Sequence, residues 1–180
     1  MKNHLPWLLA VLAVFYFRLP AAGSDQNLPE PENIGTIYYF DSSTNSLVAL
    51  EKEIATAKRE GWPKQKIIVQ VAGGKADLRL KADQKMEFVV SLANGVDPGK
   101  YQLIAFETKD GNRQAITMEA TWTGKKANPV FHPFNIRKFG DAYKLTPSPA
   151  LPSGEYGFSP NDSNDVFCFG VDAVPDGGKK

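Results

Sequence analysis

From Thr36 to Asp172 the chain is cut into short runs of Val, Ile, Phe, Tyr and Thr, each stopped by Gly, Pro, Asn or Asp. That rhythm limits the fold more than any other feature. The runs have strand length and β propensity, and the punctuating residues are those that reverse a chain. "TIYYF" passes through "DSSTN" into "SLVAL", which reads as strand, loop, strand. "KIIVQVA" and "ADLRLKA" flank Gly73-Gly74, and Asp110-Gly111 separates "YQLIAFETK" from "RQAITMEATW". Both dipeptides suit the positive φ angles of tight hairpins. "MEFVVSL" alternates, with Met86, Phe88, Val90 and Leu92 on one side, and "FNIRKF", "AYKLTP", "EYGFS" and "DVFCFGV" follow. The expectation is an all-β fold with little helix, an antiparallel β-sandwich of immunoglobulin-like or similar two-sheet form. Only Leu47 to Trp62 is ambiguous, because Leu47, Leu50, Ile54 and Ala57 also fit a helical stripe. The preferred reading there is a strand to about Glu53, then an exposed loop or single helical turn.

A second pattern refines the sandwich. "DPGKYQLIAF" and "LPSGEYGFSP" share the order turn, Gly, charged residue, Tyr, strand. This resembles the tyrosine corner of immunoglobulin-like sandwiches, in which a phenol reaches back to nearby backbone. The resemblance implies structural roles for Tyr101, Gly154 and Tyr156. The block "LPSGEYGFSPNDSNDVFCFGVD" is also similar to the tails of uncharacterised exported bacterial β-rich proteins, most closely from Tyr143 to Asp172 and faintly over "IGTIYYFDSSTNSLVALE". That likeness implies export and a β fold, and no residue inherits a role from it.

The first residues read as an export signal. Lys2 precedes an apolar run from Leu5 to Phe17, and Ala21-Ala22-Gly23 suits signal peptidase. The run is shorter than the roughly 20 residues that span a bilayer, so a cleaved signal is preferred to a retained anchor. Residues 1–23 are then the signal peptide, 24–33 a flexible linker, 34–172 a single β-sandwich domain and 173–180 a disordered tail. Cleavage leaves 19 basic and 20 acidic residues, since Lys2 and Arg18 are the only charges removed from totals of 21 and 20. A near-neutral chain offers no electrostatic footprint for nucleic acid, and no membrane span is expected after the signal is removed.

The single cysteine, Cys168, cannot form an internal disulfide. On a strand, Val166, Cys168 and Gly170 share one face while Phe167, Phe169 and Val171 share the other. Both faces are apolar, which reads as a central strand with an inert buried thiol. A Cys168–His132 pair would need these groups side by side, and no third orienting group is marked. No catalytic residue, metal site or cofactor is expected. "NDSND" could offer calcium Asp162 and Asp165, yet Asn, Asp and Ser are ordinary turn residues and the turn is preferred. The acids lie in no recognisable motif and read as solvated charges. Trp62, Trp122 and Tyr39 are the candidate ligand-binding aromatics, as exposed rings that stack on sugars or anchor a partner.

The resulting expectation is an exported, non-enzymatic β-domain of bacterial type, periplasmic or extracellular. It would act as a binding or accessory module on a protein or glycan of the envelope. The alternative is a carbohydrate-binding or glycan-active domain using exposed aromatics and carboxylates.

Overall fold

The structure, a computed structural model, describes residues 28–61, 65–121, 124–127 and 130–174. The first half carries β1 (Ile37–Asp41), β2 (Ser46–Ala49), β3 (Glu51–Ile54), β4 (Thr56–Glu60), β5 (Lys66–Val71), β6 (Arg79–Lys81) and β7 (Phe88–Ser91). The second half carries β8 (Tyr101–Lys109), β9 (Asn112–Thr121), β10 (Gly124–Ala127), β11 (Phe131–His132) and β12 (Phe134–Phe139). It ends with β13 (Ala142–Pro147), β14 (Gly154–Pro160) and β15 (Asp165–Asp172). Among the described residues the only helical element is a 3-10 turn at Pro98–Lys100, capped by the Asp97 carboxylate, which accepts from Gly99 N at 2.8 Å. No helix among them is long and apolar enough to cross a membrane.

These strands form two sheets. One has five strands in the order β12-β13-β7-β1-β2. The other runs β3-β15-β14-β8-β9-β5-β4, with β6, β10 and β11 attached to β15, β9 and β8. All ladders are antiparallel except β6 on β15. The chain is therefore all-β and two-layered, as its turn-punctuated runs imply.

The larger sheet is curled. Its two terminal strands, β3 and β4, are consecutive in the chain and separated only by Ala55, so the sheet must roll until its ends meet there. β2 leads into the same stretch. Its partner is β1, and one residue later Leu50 N still donates to Ile37 O at 2.9 Å. Ser46 to Glu60 is thus one extended path that leaves the flat sheet, enters the roll and closes it. The exposed loop or helical turn expected after Glu53 is replaced by β4. Its five residues are all exposed, so no alternation betrays the strand, and it is held by the β5 ladder from Thr56–Gln70 to Glu60–Lys66.

Rolling gives the large sheet two apolar faces and the molecule two cores. The convex face packs on the flat sheet through Phe158, Phe167, Phe169 and Leu103 against Ile37, Phe88, Val90 and Leu145. Phe88 meets Phe158 edge-on at 5.1 Å and Phe169 at 4.6 Å. Burying each such ring contributes about 1.5–3 kcal/mol. The concave face encloses a smaller core of Ala55, Val71, Ala76, Ile104, Phe106, Ala115, Val166 and Cys168. Small residues fit the tight curvature. At Gly157 a Cβ would collide with Val166 Cγ1 and come within 3.2 Å of Phe106.

The turns divide into one expectation met and one corrected. Asp110 and Gly111 have φ of 51° and 74° and join β8 to β9 with Lys109 opposite Asn112. Gly73-Gly74 does not make a hairpin. β5 pairs with β4 and β9, whereas β6 pairs with β15, so the intervening loop crosses the end of the roll. Gly73 does take a positive φ of 75°, but the chain bends there into the crossing loop instead of reversing between two paired strands.

Candidate functional site

The roll has a closed end and an open end, and the chemistry differs between them. At the closed end lie two arginines together with acids that read from sequence as solvated. Arg113, on β9 two residues before Ala115, is 1% exposed. Its Nη2 donates to Ala72 O at 2.9 Å, its Nε to Gly73 O at 3.2 Å and its Nη1 to Glu51 Oε2 at 3.4 Å. The crossing loop is tied down further by Glu155, 7% exposed, whose Oε2 accepts from Ala76 N at 2.9 Å. Glu155 Oε1 pairs with Arg79 Nη1, and Arg79 Nη2 reaches Asp172 Oδ1 at 2.5 Å. Gly170 makes this possible, because a Cβ there would overlap the Arg79 guanidinium. Burial raises the Glu53 carboxyl above its ordinary value, and a hydrogen bond and charge from Glu51 add to it while Arg113 opposes. Both arginines here are committed to carboxylates or carbonyls. This end is a plug that holds residues 72–77 across the roll.

Cys168 sits between plug and opening. It is fully buried, and burial pushes its thiol up to about 12, with the nearby charges of Arg113, Glu51 and Glu53 secondary. Its Sγ contacts Val166 O at 3.8 Å. His132 lies on the opposite side of the sheet, edge-on to Tyr156 at 5.6 Å, and Tyr156 belongs to the convex core. The wall of the roll therefore separates thiol from imidazole, and no Cys–His pair forms.

The open end lies where β8 and β9 part. Their ladder covers only Glu107–Gln114 to Lys109–Asn112. Beyond it β8 takes β11 at Leu103 and Ile104, and β9 takes β10. Two cavities open along this parting. One, of about 450 Å³, has walls of Ile68, Phe106, Ile116 and Val130 with Glu107 and Lys109 beside them. The other, of about 390 Å³, is the mouth of the roll itself. Both volumes are of small-molecule size. The mouth is floored by Ala55, Val69 and Ile104, with Phe131 and Met118 at its side. Polar groups converge on it from several elements: Thr56 from β4, Gln102 from β8, Thr117 from β9, and Ser159, Asn161, Ser163 and Asn164 from the end of β14 and the turn after it. Among the described residues none that lines it is ionisable. Ser159 Oγ donates to Asp165 O at 3.0 Å and Ser163 Oγ accepts from Asp165 N at 3.0 Å, so these hydroxyls shape the turn. Among the described residues the side-chain amides of Gln102, Asn161 and Asn164 have no hydrogen-bonding partner. The larger cavity offers one carboxamide, Gln114, against three in the mouth.

The residues singled out in the sequence fall as follows. Trp62 and Trp122 lie outside the described residues. Tyr39 is not an exposed platform: it packs on the convex-face core, edge-on to Phe88 at 6.0 Å, and its Oη accepts from Gln84 Nε2 at 2.9 Å. Tyr39 is thus half-buried, while its neighbour Tyr38 points to the other face and is buried, with Asn33 donating from Nδ2 to the Tyr38 Oη at 3.0 Å. The two turn aspartates are each matched to a lysine, Asp165 to Lys52 at 2.8 Å and Asp162 to Lys100 at 3.5 Å. Among the described residues no three His, Cys, Asp or Glu side chains gather as a metal site would require. Tyr156 Oη donates to Pro152 O at 2.9 Å, the corner bond, and Gly154 leaves room for it, since a Cβ there would lie 3.3 Å from that oxygen. Tyr101 is buried, and burial followed by the Asp165 charge raises its phenol.

No protein-family model matches the chain, and neither a curated protein nor a solved structure matches it.

Proposed function

We propose that the protein is an exported, non-enzymatic binding module of the cell envelope or exterior, with the mouth of the roll as its contact site. Export rests on the Lys2, Leu5–Phe17 and Ala21-Ala22-Gly23 pattern. One observation carries the binding reading: uncommitted amides from β8 and the β14–β15 turn converge on a cavity of about 390 Å³ with an apolar floor. The absence of turnover is supported by the thiol's burial on the face opposite the imidazole and by the pairing of the buried carboxylates with cations, Glu155 with Arg79 and Glu87 with Lys85 and Lys144.

Titration of isotope-labelled protein with a library of sugars, dipeptides, amino acids and nucleosides tests this by amide chemical shifts. The expected hits perturb Thr56, Gln102, Thr117 and Asn161 to Asn164, and the compound is recovered intact. Perturbations mapping elsewhere, or chemical conversion of a hit, overturn the reading. Fractionation with N-terminal sequencing tests export, the expected mature start being near Ser24.

A further inference from the structure

We infer that the mouth, taken as the binding site proposed above, accepts a neutral oligosaccharide, one unit in the cavity and the next on the adjoining groove. Charge selects the class first. Among the described residues that line it the cavity presents no ionisable side chain, and the two nearby carboxylates of the turn are each matched by a lysine. An ionic ligand would leave water without a partner, which is costly. Neutral ligands rich in hydroxyls meet no such penalty.

Directional chemistry selects further. A carboxamide offers two N–H donors and an acceptor oxygen side by side. A sugar hydroxyl also donates and accepts, so vicinal hydroxyls match Gln102, Asn161 and Asn164, whose amides are otherwise unpartnered. The apolar side of a sugar ring needs a flat hydrophobic surface, and Phe131, 38% exposed, stands at the rim.

Shape sets the length. A shallow groove of about 400 Å³ adjoins the mouth and shares Gln102 and Phe131 with it. It continues past His132 and over Pro133, Phe134 and Ile136, the last 39% exposed, so the selection against charge belongs to the mouth and the groove supplies the apolar surface. A chain seated in the mouth leaves across Phe131 onto this surface.

The test is isothermal titration with maltotriose, cellotriose, mannotriose and chitotriose, their monosaccharides, trigalacturonate and a Ser/Asn-rich peptide. The expected result is binding of at least one neutral trisaccharide, tighter than its monosaccharide and unchanged between about 0.05 and about 0.5 M salt. Gln102→Ala and Asn164→Ala should each weaken it about tenfold, the loss of roughly one well-made hydrogen bond. Phe131→Ala should weaken the trisaccharide more than the monosaccharide, and the two amide variants carry the test if that one fails to fold. Absence of binding by every neutral sugar overturns the inference. So does preference for trigalacturonate or the peptide, although loss of that binding in Gln102→Ala would leave the mouth standing as a site. Sugar binding that all three variants leave unchanged overturns inference and site together.

Discussion

Replacing Arg113 by Met keeps the length of the side chain and removes its charge and all its donors. Three contacts go: those to Ala72 O, Gly73 O and Glu51 Oε2. Breaking a buried ion pair by deleting one partner costs about 3–5 kcal/mol, mostly because the other charge is stranded. Here the remaining groups have some access to water. The Glu51 side chain is 22% exposed, and Ala72 and Gly73 lie on an exposed loop, so their carbonyls can rehydrate. The lower part of the range applies, about 3 kcal/mol. For a chain of this length that lowers Tm by about 6–12 °C. Urea unfolding followed by circular dichroism reads it directly. Because stranding Glu51 supplies much of the cost, Glu51→Gln should recover about 1 kcal/mol in the Arg113→Met background, a non-additivity that a double-mutant cycle isolates. A loss below about 1 kcal/mol for Arg113→Met, or strict additivity of the pair, would refute the account of the closed end as an ion-held plug.

Removal of one hydroxyl in Tyr156→Phe deletes the bond to Pro152 O and should cost about 1 kcal/mol in the same assay, whereas an unchanged midpoint would mean the corner contributes nothing. Cys168, fully buried with its thiol pushed up to about 12, should resist a thiol reagent at neutral pH until denaturant is added, and rapid labelling of folded protein would contradict its placement. Burial pushes the Glu87 carboxyl up, but pairs with Lys85 at 2.9 Å and Lys144 at 3.1 Å outweigh it and lower it below 4.5. Its contribution is thus complete above that value and lost as pH falls through the lower folded one. Glu87→Gln should lower Tm at neutral pH and flatten the acid limb of the stability profile, and parallel profiles for both proteins would count against the triad.

What the sequence discloses and what it hides follow from the reach of each interaction. The fold class is legible because alternation is local. Val166, Cys168 and Gly170 against Phe167, Phe169 and Val171 already describe a strand apolar on both sides, and the structure gives each side its own core. Tyr156 and Asp110-Gly111 are legible for the same reason, since their partners lie within a few residues. The roll is not legible. Its closure depends on β4, where no side chain is buried, and on β5 choosing β9 rather than the segment after Gly73-Gly74. The buried charges are hidden too, because Arg113 meets Glu51 across 62 positions and Arg79 meets Glu155 across 76. One signal was available: period two puts Arg113 on the face of Ala115, and Glu155 on the face of Gly157. The mouth draws on β4, β8, β9 and the β14–β15 turn, so no window of sequence contains it.

The extended path from Ser46 to Glu60 has a consequence for how this molecule tolerates change. It serves as a common reading frame for both layers. One residue inserted at Leu50 would leave the pairing of β2 with β1 intact, yet every side chain downstream would change face. Lys52 and Ile54 would then turn toward the thiol, while Glu51, Glu53 and Ala55 would turn to water. Length variation among natural variants should accordingly be confined to the hairpin tip at Asp41 to Ser46 and to the far side of Glu60, with none between.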